Sequence, residues 1–219
     1  MSNASARNAI LSRLYAACPA QAPAVAPEDA WSAPILGTEE CIEAFCQRMR
    51  AVRTEVHRIP AKQWQAKVAE VLAEKRAETV SCGPGAWFAK DLAKLLAKAK
   101  LPAPLVYDKD VEALRDQLFL VDASVTSALA GIAETGGLVL APDQGEPRLL
   151  SLVPPLHIVL LRAADVRSSF AQAITELNLA GDMPSNLVLV SGPSKTADIE
   201  MVLTFGVHGP KDLVVLVLE

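Results

Sequence analysis

Directly behind the apolar run LVLV, which ends at Val190, the chain reads SGPSKTADIE over residues 191–200. This is its densest group of polar chemistry. Ligands of open α/β sheets gather beyond the carboxyl ends of strands. Gly192 and Pro193 form a turn, and Ser194, Lys195 and Thr196 supply two hydroxyls and one cation. A helix beginning near Thr196 would point its free N–H groups at the same place. Such a place suits a phosphate or a carboxylate. Ser191, Gly192, Ser194, Lys195, Thr196 and Asp198 are therefore the candidate anion-binding residues. The competing reading is a capped turn: Ser194 or Thr196 accepts from helix N–H groups, and Asp198 and Glu200 complement the dipole. A phosphate loop of the G-x-x-x-x-G-K-[ST] type is absent.

Two further residues are candidates for catalysis. His208 sits between Gly206 and Gly209 in FGVHGPKDL, in a loop ahead of the last apolar run. A loop histidine can shuttle protons near neutral pH, or it can fix the loop through backbone hydrogen bonds. Glu134 lies in GIAETGGLVL ahead of a glycine turn. A carboxylate there serves as base or nucleophile if burial raises its pKa; alternatively it accepts from turn N–H groups and holds the hairpin. Asp198, Glu200 and His208 offer oxygen and nitrogen donors, but their spacing matches no metal motif, and no metal site is expected. His157 reads as a structural residue at a strand start, His57 as a solvent-facing strand residue, and Arg148 as an exposed loop arginine. Trp31, Trp64 and Trp87 are scattered along the chain and read as packing residues.

Composition narrows the setting. The 219 residues suffice for one large domain plus an arm. Net charge is −4, with acids and bases interspersed, which lacks the basic face of a nucleic-acid binder. Half of the residues are apolar, yet no apolar stretch approaches the length of a membrane span. The opening MSNASARNAI has no signal-peptide pattern, so a cytoplasmic location is expected. Cys18, Cys41, Cys46 and Cys82 form no C-x-x-C pair, and the spacing expected of iron–sulfur or structural zinc ligands is missing. Cys41 and Cys46 fall on a helical pattern and read as small core residues.

The elements that must position these residues follow from periodicity. Residues 5–17 place Ile10, Leu11, Leu14 and Tyr15 on one helical stripe. Pro19, Pro23, Pro27 and Pro34 then prevent a regular helix, so residues 1–37 read as a short helix on an extended Pro/Ala-rich arm. The body, residues 38–219, opens at Thr38 with Glu39 and Glu40 as a helix start. Strands are expected near 54–59, 78–81 and 105–107, with helices carried by Trp64, Val68, Val71 and Leu72 and by Phe88, Leu92, Leu95 and Leu96. Alternating strands and helices of this kind build βαβ units and a parallel sheet. Short strands follow at 124–128, 132–134 and 138–140, then a strand at 157–161, a helix over 166–177, and strands at 187–190 and 213–218. LVLV and LVVLVL are continuous rather than alternating, as in strands covered on both faces.

The stretches GIAETGGLVL, LHIVLL, SGPSKTADIE and GVHGPKDLVVLVLE stand in the order and near the spacing of the LUD (lactate utilisation) family, and resemble its C-type members, LutC/YkgG. The likeness covers residues 38–219. One departure is the turn Thr135-Gly136-Gly137, where relatives read T-G-T. The resemblance implies a Rossmann-like α/β domain, with a mostly parallel sheet and flanking helices, similar to the NagB/RpiA/CoA-transferase-like group. It also implies a non-redox subunit of a system oxidising L-lactate to pyruvate. The iron–sulfur clusters are then expected in partner subunits, with no cofactor in this chain. The alternative is a stand-alone isomerase or acyl/CoA-transferase-type enzyme using Glu134, and a third reading is an interaction domain that makes contact through its arm. On any enzymatic reading Glu134, Lys195 and His208 should converge on one hollow at a rim of the sheet.

Overall fold

Two apolar runs, LHIVLLR and DLVVLVL, become the central strands of a six-stranded sheet, because both of their faces are covered. The computed structural model describes residues 3–17, 35–108, 111–179, 181, 183–196 and 204–219. The chain forms two units, residues 1–32 and 33–219. The first contains helix α1 (Asn3–Ala17).

The second unit begins with α2 (Thr38–Ala51), β1 (Glu55–Ile59), α3 (Trp64–Lys75), β2 (Val80–Cys82), α4 (Ala89–Lys98), β3 (Leu105–Val106), α5 (Val111–Leu118) and β4 (Ala123–Ser127). It continues through β5 (Ala130–Ile132), β6 (Gly137–Leu140), β7 (Leu156–Arg162), β8 (Val166–Arg167), α6 (Phe170–Glu176), β9 (Val188–Val190), β10 (Lys195–Thr196), β11 (Thr204–Phe205) and β12 (Asp212–Leu218). The main sheet has the order β1-β12-β7-β4-β2-β3, and every neighbouring pair is parallel. A second sheet has the order β8-β5-β6-β9, and β10 pairs with β11 as a short hairpin.

One face of the main sheet carries Val125, Ile158, Leu160, Val214 and Leu216 against Val68 and Leu72 of α3 and Leu92 and Leu96 of α4. The other carries Val159, Leu161, Val215 and Val217 against Phe45 and Met49 of α2 and Leu138 of β6. Phe45 and Met49 have no exposed surface, and burying a side chain of this size contributes roughly 1.5–3 kcal/mol. Three of the four cysteines, Cys41, Cys46 and Cys82, are free and buried in these cores. No helix among the described residues is long and apolar enough to cross a membrane.

The structure revises several local expectations. Residues 166–177 are not one helix. Val166 and Arg167 pair with Gly131 and Ile132, and α6 starts only after Ser169, whose side chain accepts from the Gln172 N–H. The Ser168-Ser169 pair competes for backbone groups and so breaks the helical pattern early. The run LVLV is not covered on both faces: β9 is an edge strand, and Leu189 is 56% exposed. Glu134 lies past the end of β5, in the turn before β6. Lys195 and Thr196 form a strand rather than a helix start, because they pair with Phe205 and Thr204. Trp64 and Trp87 are not scattered: their ring centroids lie 6.0 Å apart, and both stack edge-to-face on Phe88. His57 is half-buried, with Nε2 2.6 Å from Glu55.

Candidate functional site

β3 flanks β2 on one side and β4 on the other, although β3 lies between them in the chain. The strand order therefore reverses between β2 and β4. In open parallel sheets a crevice forms beyond the carboxyl ends of the strands at such a point. Here it has a volume of about 300 Å³ and is lined by Trp87, Thr126, Ser127, Leu140, Glu146 and Arg162, among others.

Close backbone approach seats the loop that closes the crevice. The Gly85 N–H donates to Gly145 O at 3.0 Å. A Cβ on Gly83 would lie only 2.0 Å from Gly145 O, so no other residue fits there without moving the loop. Asp143 Oδ1 accepts from the N–H groups of Gly145 (2.7 Å) and Glu146 (2.8 Å), which tightens the turn. Glu146 is thereby aimed at the end of β4. Its Oε2 accepts the Ser127 N–H at 2.7 Å, and its Oε1 accepts the Ser127 hydroxyl at 2.5 Å. Burial pushes the Glu146 carboxyl above the ordinary glutamate range, although the two bonds from Ser127 pull the other way.

Of the other acids at this rim, Asp143 is occupied by its turn and Asp165 lies 4.0 Å from Arg167. Arg162 forms no ion pair with a described residue; its guanidinium sits 5.9 Å from the centroid of the half-exposed Trp87 ring. Cys82 ends β2 beneath the crevice. Burial, with a smaller contribution from Glu146, pushes its thiol up to about 11, so it stays protonated and inert. The crevice thus holds one carboxyl that burial shifts toward its protonated form and one cation with no ion pair among the described residues, beside Leu140 and Leu160. Such a site can hold a small acid by its carboxylate and hydrogen-bond a neighbouring hydroxyl or carbonyl.

The residues singled out by sequence lie elsewhere. SGPS and FGVHGP do meet: Ser194 N–H donates to Pro210 O, and Gly206 N–H donates to Ser194 O, each at 2.9 Å. Gly192 adopts φ 144°, a region closed to other residues, where the chain turns against Val52. Ser191, Gly192, Ser194 and His208 line one hollow of about 260 Å³, together with Ser151, His157 and Leu213. His157 and Leu213 open β7 and β12, so this hollow lies at the amino rim of the sheet, opposite the crevice. β9, which precedes it, runs antiparallel to β6, so the rule about carboxyl ends of parallel strands does not place a ligand here.

The described lining of the hollow includes neither Lys195, Thr196 nor Glu134. Lys195 is exposed on β10. Glu134 is half-buried in the β5–β6 turn, where its N–H donates to Ser168 O at 2.9 Å and Arg48 donates to the adjacent Ala133 O at 2.8 Å. Asp198 and Glu200 lie outside the described residues.

The sequence alone does not single out Glu146, Ser127 or Arg162, and it offers Trp87 only as a packing residue. One signal was present: the turn residues of DQGEP, 143–147, and of GPG, 83–85, each follow an apolar strand.

Comparison with known proteins agrees with this fold. The LUD domain family matches residues 42–218. An uncharacterized protein of Neisseria meningitidis serogroup B is 33% identical over 98% of this chain and 94% of its own length. Lactate utilization protein C of Shouchella clausii is 26% identical over 83% of this chain and 80% of its own. Uncharacterized protein YkgG of Escherichia coli K12 is 40% identical over 43% of each chain. Among solved structures, a DUF162 family protein from Deinococcus radiodurans superposes with a TM-score of 0.60 at 21% identity, covering 84% of this chain and 99% of that one. The match across nearly the whole second unit settles the family: the chain belongs to the LUD domain family.

Proposed function

We propose that this chain serves lactate utilisation as a non-redox subunit, and that its crevice holds L-lactate or pyruvate. The observation that carries this is that the Glu146 carboxyl and the Arg162 guanidinium, which has no ion pair among the described residues, line one cavity. Arg162 takes the substrate carboxylate, Glu146 and Ser127 meet the 2-oxygen, and Leu140 and Leu160 face the methyl group. The relatives named lactate utilization protein C support the pathway. Oxidising lactate releases two electrons. With four cysteines in no cluster pattern, this chain would leave them to iron–sulfur partner subunits. Free buried thiols suit a reducing, cytoplasmic setting.

Two measurements test the reading. Deleting the gene should abolish growth on lactate, and normal growth would end the assignment to lactate utilisation. Calorimetric titration of the purified chain with L-lactate and pyruvate should show binding that Arg162→Ala weakens by about 1–3 kcal/mol, the range for a lost charged partner. Equal titrations for the two proteins would remove Arg162 from the site.

A second reading rests on Glu134. Its turn is held by Ser168 and Arg48, while its carboxylate meets no described partner. A stand-alone isomerase or acyl/CoA-transferase-type activity would use that carboxylate. Equal turnover of sugar phosphates or acyl-CoA by the wild type and Glu134→Gln would reject it.

A further inference from the structure

β7 has one histidine in an otherwise apolar interior run. His157 has no exposed surface, and its Nε2 shares a 2.8 Å hydrogen bond with the Thr126 hydroxyl of β4. Its Nδ1 has no hydrogen-bond partner among the described residues. Buried polar atoms are almost always paired, so an orphaned ring nitrogen in the middle of a parallel sheet needs an explanation. His157 is one of the residues that line the amino-rim hollow, together with Ser191, Gly192, Ser194 and His208. No described residue lining that hollow is acidic. The crevice at the opposite rim, by contrast, is lined by Asp143, Glu146 and Asp165.

Burial holds the His157 pKa down to about 3, so the ring is neutral and carries a single N–H. When the Thr126 hydroxyl donates to Nε2, that N–H is on Nδ1. We infer that the hollow binds a small oxyanion, a phosphate or carboxylate group, which accepts from His157 Nδ1–H at its base and from the Ser191 and Ser194 hydroxyls and His208 at its rim. A donor-rich lining with no acid among its described residues selects an anion over a cation, and the volume of about 260 Å³ limits its size. The bound oxyanion fixes His157 in the Nδ1–H tautomer. Thr126 then spends its proton on His157 and offers only lone pairs to the crevice that it also lines. The site stands or falls independently of lactate binding in the crevice.

The chain has three histidines, His57, His157 and His208, so nitrogen-15 labelling of histidine resolves each ring. Inorganic phosphate and acetate are titrated separately into the full chain, and the arm that responds identifies the class of oxyanion. The expected result is a saturable shift of both His157 ring nitrogens toward the Nδ1–H tautomer, with matching calorimetric binding. Ser194→Asp, which adds a negative charge at the rim, should weaken that binding about tenfold or more. Lys195→Ala, outside the lining, should weaken it less. Binding that leaves the His157 resonances in place, or no binding of either anion, overturns the proposal.

Discussion

Two carboxylates grip the two ends of strand β4, and their chemistry runs in opposite directions. Asp122 stands just before the strand, at the amino rim. Its Oδ2 accepts from the Glu78 N–H (2.9 Å), the Thr79 N–H (2.8 Å) and the Thr79 hydroxyl (2.7 Å). Burial works against its charge, but the bonds from Thr79 and Glu78 outweigh burial and hold it below the ordinary aspartate range. Glu146 meets the other end at Ser127, with two donors instead of three and deeper burial, and there burial wins. Asp122 ties β4 to the start of β2, and Glu146 ties its own loop to the end of β4. The one at the carboxyl rim lines a cavity and is shifted toward its protonated form, a combination that marks a working site more often than a brace.

The largest way to break this contrast is Gly83→Val. Its Cβ would overlap the Gly145 carbonyl, so the loop carrying Glu146 must lift. Overpacking of this kind costs about 2–3 kcal/mol. Urea denaturation should show that loss, and ligand binding at the crevice should vanish while the amino rim keeps its phosphate response.

Next comes Asp122→Ala, which strands two N–H groups at a partly solvated edge and should cost about 1 kcal/mol at neutral pH. The sign with pH is specific. The folded-state pKa is lowered, so the stabilisation is present above the ordinary aspartate value and lost as pH falls through the lower one. Wild type and variant should therefore converge in acid, and a constant gap down to about pH 3 would refute the brace.

The smallest effect, and the sharpest in sign, belongs to Glu146→Gln. A raised folded-state pKa contributes stability that is present below the ordinary glutamate value and lost as pH rises through the raised one. The wild type should weaken relative to Glu146→Gln over that rise. A wild type that instead gains on the variant as pH rises would place the carboxyl on the same footing as Asp122, and a difference independent of pH would show that burial does not raise its pKa.

Much of the fold was legible because the signals were local and periodic. Thr38 with Glu39 and Glu40 marks α2, Trp64, Val68, Val71 and Leu72 mark α3, and the two long apolar runs mark β7 and β12. The errors arose where one local signal was asked to stand for a tertiary one. LVLV has the composition of a buried strand, yet it pairs antiparallel at an edge and takes the SGPS turn to the amino rim. SGPS and His208, both singled out by the sequence, share a hollow, but its described lining includes neither Glu134 nor Lys195.

The sequence by itself determined the alternation of strands and helices, the buried character of Cys41 and Cys46 and the LUD family motifs, because each rests on residues close together in the chain. The tertiary structure alone decided which strand ends face one another. Trp87, Ser127, Glu146 and Arg162 lie on four separate elements or loops, and no spacing among them carries information. They share a crevice because β3 sits outside β2 while β4 returns inside it, a consequence of strand order that becomes physical only when the sheet has formed.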